Sequence, residues 1–143
     1  MRLWHIDLIP YLPKSQLLAQ WRELNSIFKK QDKHILINYI YDYDEEYLFD
    51  YACMVLKEFR NRTFQVKNTI NFYNYFYKFS YNESIPLKNN YEYKFKEHNH
   101  EYLTICYYNL KEKYLRGQKD FTKDVWQKLD EFYKKEILKD AKN

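Results

Sequence analysis

Glu23 is the one carboxylate at the centre of a polar face on the first expected helix. In the run KSQLLAQWRELNSIFKKQDKH, from Lys14 to His34, the residues Gln16, Glu23 and Lys30 recur at sevenfold spacing. On a helix they rise one above another, drifting by only about 20° per step. Ala19 and Ser26 flank that line, Arg22 projects between it and the apolar side, and Lys29, Lys30, Lys33 and His34 close the run with positive charge. The expected helix therefore offers a narrow polar rail with one carboxylate at its centre. That rail faces solvent or a ligand, and the cations can meet phosphate. Taken alone, the same residues also read as a solvated helix face whose lysines offset the C-terminal dipole.

Other constellations carry less. His98 and His100 stand beside Glu97 and Glu101, but alternate residues at a helix start do not converge on one ion and no cysteine is nearby, so no metal site is expected. Cys53 and Cys106 fall inside helical patterns and read as reduced, buried thiols of a cytoplasmic protein. The sequence has no glycine-rich phosphate loop, nucleophile elbow or dinucleotide fingerprint, which leaves no support for a nucleotide or other cofactor. A net charge of +4 is compatible with nucleic acid without requiring it. No apolar run is long enough to span a bilayer, and the N-terminus lacks a basic segment followed by an apolar one, so no membrane partner is expected.

The elements that must position these groups are predominantly helical. One glycine and three prolines in 143 residues leave few turn signals, and so glycine-poor a chain is easier to build from helices than from hairpins. The expected architecture is mainly α, a compact single domain over residues 1–143, with an extended N-terminal arm lying against the first long helix. Pro10 and Pro13 make Met1 to Pro13 that arm. Leu17, Leu18, Trp21, Leu24 and Phe28 give the first helix its apolar stripe, with Ser15 as N-cap. The segment from Ile35 to Tyr43 reads as a connector with extended character. A second helix opens at Asp44, Glu45 and Glu46, buries Leu48, Ala52, Val55, Leu56 and Phe59, and runs to about Arg60. Arg60, Arg62 and Lys67 follow as secondary candidates for DNA contact. Asn68 to Tyr81 is dense in Tyr, Phe and Asn, which suits core packing or base stacking, and Ser84 to Lys96 reads as a loop. A third helix starts near Asn99 and stops at Gly117; a last one is capped by Thr122 and ends in a lysine-rich tail.

The run LLAQWREL from Leu17 to Leu24, followed by Phe28, Lys33 and His34, resembles the first helix of the pyrimidine-dimer DNA glycosylase family. The opening MRLWHIDLIPYLP, the later KHILINY and the segment EHNHEYL resemble bacterial relatives grouped with that family. The resemblance implies a repair enzyme whose own terminal amine attacks C1′ of a damaged nucleotide, expels the base and leaves a Schiff base from which elimination cuts the strand. A chain terminus suits this because α-amino groups titrate near 7.7–8.0, against about 10.4 for lysine. Carried onto this sequence, the resemblance gives Met1 as the amine, Glu23 as the catalytic carboxylate, and Arg2, Gln16, Arg22, Ser26, Lys30, Lys33 and His34 as DNA contacts. Family members that lose their initiator methionine expose a small residue before the arginine, whereas here the order is Met1, Arg2, Leu3; Gln16 and Ser26 stand where a phage member of the family has histidine and arginine, which removes potential positive charge from the rail.

The expected activity is therefore that of a DNA repair glycosylase with abasic-site lyase cleavage on damaged double-stranded DNA, without metal or cofactor. A non-catalytic DNA-binding module of the same fold, or a helical protein-interaction domain using its aromatic surface, are the alternatives.

Overall fold

The computed structural model describes residues 1–79 and 92–141, and among these it contains helices and no strand. The α-helices are α1 (Lys14–Lys30), α2 (Glu45–Asn61), α3 (Ile70–Tyr75), α4 (His100–Leu115) and α5 (Lys123–Ala141), with 3-10 helices at Ile6–Tyr11 and Asn38–Asp42. The mainly α expectation holds. Most of the loop expected from Ser84 to Lys96, and Tyr81 at the end of the aromatic run, lie outside the described residues. The residues form two compact units: Met1–Leu3 with Leu18–Phe95, and Trp4–Leu17 with Lys96–Asn143.

In the first of these units α1 buries Trp21, Leu24, Ile27 and Phe28, and α2 buries Leu48, Phe49, Ala52, Val55, Leu56 and Phe59. Phe72 of α3 and Phe76 just beyond it are fully buried, with ring centroids 5.9 and 5.2 Å from Phe28. The aromatic run is thus core at these two positions, leaving Tyr77 exposed. The Trp21 indole N–H is satisfied by the Lys67 carbonyl at 2.8 Å. Leu18, expected on the apolar stripe, is only half-buried.

Two boundaries differ from the sequence reading. Helix α1 stops at Lys30, where Gln31 takes a φ of 52°, so Lys33 and His34 sit on the following loop. The segment from Ile35 is a turn and a 3-10 helix rather than an extended connector. Local polar groups explain it. The His34 N–H donates to Asn38 Oδ1 at 2.7 Å, the Leu36 N–H donates to His34 Nδ1 at 3.1 Å, and the His34 carbonyl accepts from both Ile37 and Asn38. Side chains that bond their own backbone this way outcompete an unpartnered strand.

In the other unit, the segment from Ile6 to Tyr11 is a 3-10 helix, although its prolines predict an extended arm. His5 caps it, its Nδ1 accepting the Asp7 N–H at 3.1 Å, and Ile6, Leu8 and Ile9 are buried. Pro10 is tolerated because its fixed φ suits such a turn. Ser15 is not an N-cap: α1 is already helical at Lys14, and both the N–H and the hydroxyl of Ser15 donate to the Asp120 carboxylate, at 2.6 and 2.8 Å. Burial works against ionisation of Asp120, but those two bonds and one from Gln118 prevail and hold its carboxyl below the usual range. Asn99 caps α4 as its sequence position predicts, accepting the Tyr102 N–H at 2.9 Å. At the other end Gly117, with φ 81°, lets the N–H groups of Gly117 and Gln118 reach the carbonyls of Tyr114 and Lys113, a Schellman closure. Thr122 accepts the Val125 N–H at 3.3 Å and starts α5.

His5 and His98 stack with ring centroids 5.5 Å apart, and His98 Nδ1 accepts the Ile6 N–H at 3.1 Å. Burial, reinforced by the charge of His5, drives the His98 pKa down to about 3, and burial lowers that of His5 against the pull of Asp7. Both folded values lie below the unfolded one, so the unfolded chain binds more protons between them. Stability is full above about pH 6.5 and falls as pH drops through that window. Urea unfolding should show a lower midpoint at pH 5 than at pH 7.5. His98→Asn, which keeps an acceptor near Nδ1 but cannot titrate, should flatten that dependence; an unchanged slope would contradict this account.

Candidate active site

The expected site residues other than Gln16 belong to the unit formed by Met1–Leu3 and Leu18–Phe95. Glu23 is half-buried on α1. One turn before it stands Gln20, whose side chain has no exposure to solvent. The Gln20 Nε2 donates to Glu23 Oε2 at 3.1 Å and to the backbone carbonyl of Arg2 at 3.1 Å, and its Oε1 accepts the Tyr51 hydroxyl of α2 at 2.9 Å. A carboxamide has two N–H donors and one carbonyl, and here each is engaged. Because both acceptors lie 3.1 Å from one nitrogen, the Arg2 carbonyl and the Glu23 carboxylate are within about 6 Å of each other, twice that length at most. Met1 precedes Arg2 by one peptide, about 3.8 Å between Cα atoms. Met1 is 38% exposed, whereas Leu3 is fully buried and anchors the arm behind it. The chain's first residues and the only carboxylate of the polar rail are thus held in one neighbourhood.

The remaining candidates divide. Arg22 is exposed on α1, and so are Lys30 at its end and Lys33 and His34 on the loop that follows. His34 Nδ1 is occupied by the Leu36 N–H, which in the neutral imidazole leaves the proton on Nε2, the nitrogen available as a donor. Ser26 does not stand open on the rail: its hydroxyl donates to the Asp32 carboxylate, which brings a negative charge to that position. Gln16 belongs to the other unit, where its Nε2 donates to Gln118 Oε1 at 2.9 Å. That bond places Gln16 in the Ser15, Gln118 and Asp120 network. No group of His, Cys, Asp and Glu among the described residues could hold a metal ion. His98 and His100 are engaged elsewhere, with Ile6 and, at 3.8 Å, Glu136.

Gln20, Tyr51 and Asp32 are the site components that residue chemistry did not single out. Gln20 carried a signal: three residues after Leu17 and four before Leu24, it lies on the apolar stripe. A polar side chain there must find partners inside the protein. Tyr51 and Asp32 carried none, since their partners are distant or across a helix end.

A family model described as pyrimidine dimer DNA glycosylase matches residues 1–72, just over half of the chain. The chain belongs to the pyrimidine dimer DNA glycosylase family. The matched span contains α1, α2, Gln20, Tyr51 and all of the expected site residues, while α4 and α5 lie beyond it. No curated protein and no solved structure matches the chain. Membership assigns this protein to the repair of DNA carrying pyrimidine dimers. No helix among the described residues is long and apolar enough to cross a membrane.

The buried arrangement makes a definite energetic claim. Tyr51→Phe removes the hydroxyl that donates to Gln20 Oε1 inside the core, a loss of about 1–3 kcal/mol. Urea unfolding of the variant should show it; a change below about 0.5 kcal/mol would mean that the Tyr51–Gln20 bond is not formed.

Proposed function

We propose that this protein is a DNA glycosylase with abasic-site lyase activity on damaged duplex DNA, acting in the cytoplasm through a Schiff base between the Met1 amine and C1′, with Glu23 as proton shuttle. One observation carries the reading: a single buried amide nitrogen bonds both the Glu23 carboxylate and the carbonyl of the residue next to Met1. The interleaving of the two units along the chain, which crosses between them after Leu3, Leu17 and Phe95, supports treating residues 1–143 as one domain.

The chemistry follows in balanced steps. The neutral Met1 amine gives its lone pair to C1′, the C1′–N bond breaks, and its electrons leave with the base, which takes up a proton. Glu23 accepts the proton that the new ammonium must lose and passes it to O4′ as the C1′–O4′ bond opens, leaving an iminium at C1′. The iminium acidifies C2′; loss of that proton feeds electrons into the sugar and expels the 3′-phosphate, which cuts the strand. Water then hydrolyses the imine. Reaching C1′ requires the damaged nucleotide to be displaced from the stack, and a lesion lowers that cost. Arg2, Arg22, Lys30 and Lys33 supply the positive charge that holds the phosphates, His34 offers its Nε2–H, and Gln16 and Ser26 are neutral polar contacts.

Borohydride added to the protein with abasic-site duplex DNA should trap a covalent complex. Glu23→Gln should bind that DNA within a few-fold of the parent while cleaving about 10²–10⁴-fold more slowly. Arg22→Ala should lower the slope of log binding constant against log salt by about one. A shifted but untrapped DNA would reduce the protein to a DNA-binding module, and the absence of any shift would leave a protein-interaction domain.

A further inference from the structure

Gln20 does more than fill the core. We infer that Gln20 is a positioning residue for the amine and the carboxylate, setting the spacing between Met1 and Glu23 through its two N–H bonds; this rests on the Schiff-base reading above.

Three features point this way. The side chain is fully buried, so its bonds do not exchange with bulk water. Its donors go to a backbone carbonyl one residue from the terminus and to the proton-shuttling carboxylate, at Arg2 and Glu23 in the chain. Its carbonyl is in turn held at 2.9 Å by the hydroxyl of Tyr51, itself only 1% exposed on α2. That third bond fixes which end of the amide faces the site. Reversed, the carboxamide would turn its oxygen toward two acceptors and its N–H groups toward Tyr51. The orientation is therefore dictated by the partners, and with it the direction of both N–H groups. One nitrogen thus ties the backbone next to Met1 to the Glu23 carboxylate.

Attack by an amine is sensitive to this kind of spacing, because displacing a reacting group by about 1 Å costs on the order of 10²-fold in rate. Arg2 and the phosphate-binding cations do not depend on Gln20 for their charge, so DNA affinity should be insensitive to its loss.

The test separates rate from binding. Gln20→Met keeps the length of the side chain without its bonds, and the double variant Gln20→Met with Tyr51→Phe removes both polar partners of that bond so that neither is left buried alone. For each, the rate of borohydride trapping on abasic-site duplex DNA is measured across DNA concentrations, with circular dichroism to confirm the helical fold. The expected result is a fall of about 30- to 100-fold in trapping at saturating DNA, with the half-saturating concentration moved less than about threefold. Should the parent protein trap and the folded double variant trap at an equal rate, or lose only affinity, Gln20 has no positioning role and the Schiff-base reading stands. Should the parent protein fail to trap at all, that reading falls, and this inference falls with it.

Discussion

Having no contact with solvent, the Gln20 carboxamide must satisfy two donors and one acceptor inside the protein, and it does so on three parts of the chain: the second peptide unit, the next turn of α1, and the middle of α2. An amide left unpartnered there would lose on the order of 1–3 kcal/mol, so the N-terminal residues are tied to α1 by the same requirement that keeps the core intact. The buried Leu3 side chain reinforces that attachment from the apolar side. A terminus is ordinarily the least ordered part of a domain. Here polar satisfaction and apolar burial both act within three residues of it, which is what a chemistry that uses the terminal amine requires.

The helices were legible where one local signal sufficed. The apolar stripe of α1, the acidic start and buried face of α2, the Asn99 cap and Gly117 stop of α4, and the Thr122 start of α5 are written in neighbouring residues, and the structure places each accordingly. The misreadings share another cause. Gln31 adopts a left-handed backbone angle without being glycine, so nothing in its identity marks the end of α1; Thr63 does the same just beyond α2, whose end near Arg60 was read correctly. After Thr63 the N–H of Phe64 reaches the Phe59 carbonyl and their rings meet at 6.0 Å, an apolar contact that accompanies such helix ends and compensates the unfavourable angle. Ser15 looked like a cap because its distant partner Asp120 is invisible to local reading.

The site was legible in a different way. Spacing alone marks Glu23 as a lone carboxylate on a polar face, which fits an ordinary surface glutamate better than a catalytic one; the family match over residues 1–72 is what makes the proposed role worth testing. Arg2 and Glu23 are brought together, whereas Gln16 is committed to Gln118 and Ser26 to Asp32. In each case the partner is a polar side chain that no periodicity in the sequence could have named.

The most direct measurement of the central claim is the location of the covalent bond. After borohydride reduction with abasic-site DNA, nuclease digestion and proteolysis, mass spectrometry of the peptides should find the sugar remnant on the α-nitrogen of Met1. Finding it instead on a side-chain amine such as Lys30 or Lys33, with the N-terminal peptide unmodified, would contradict the account.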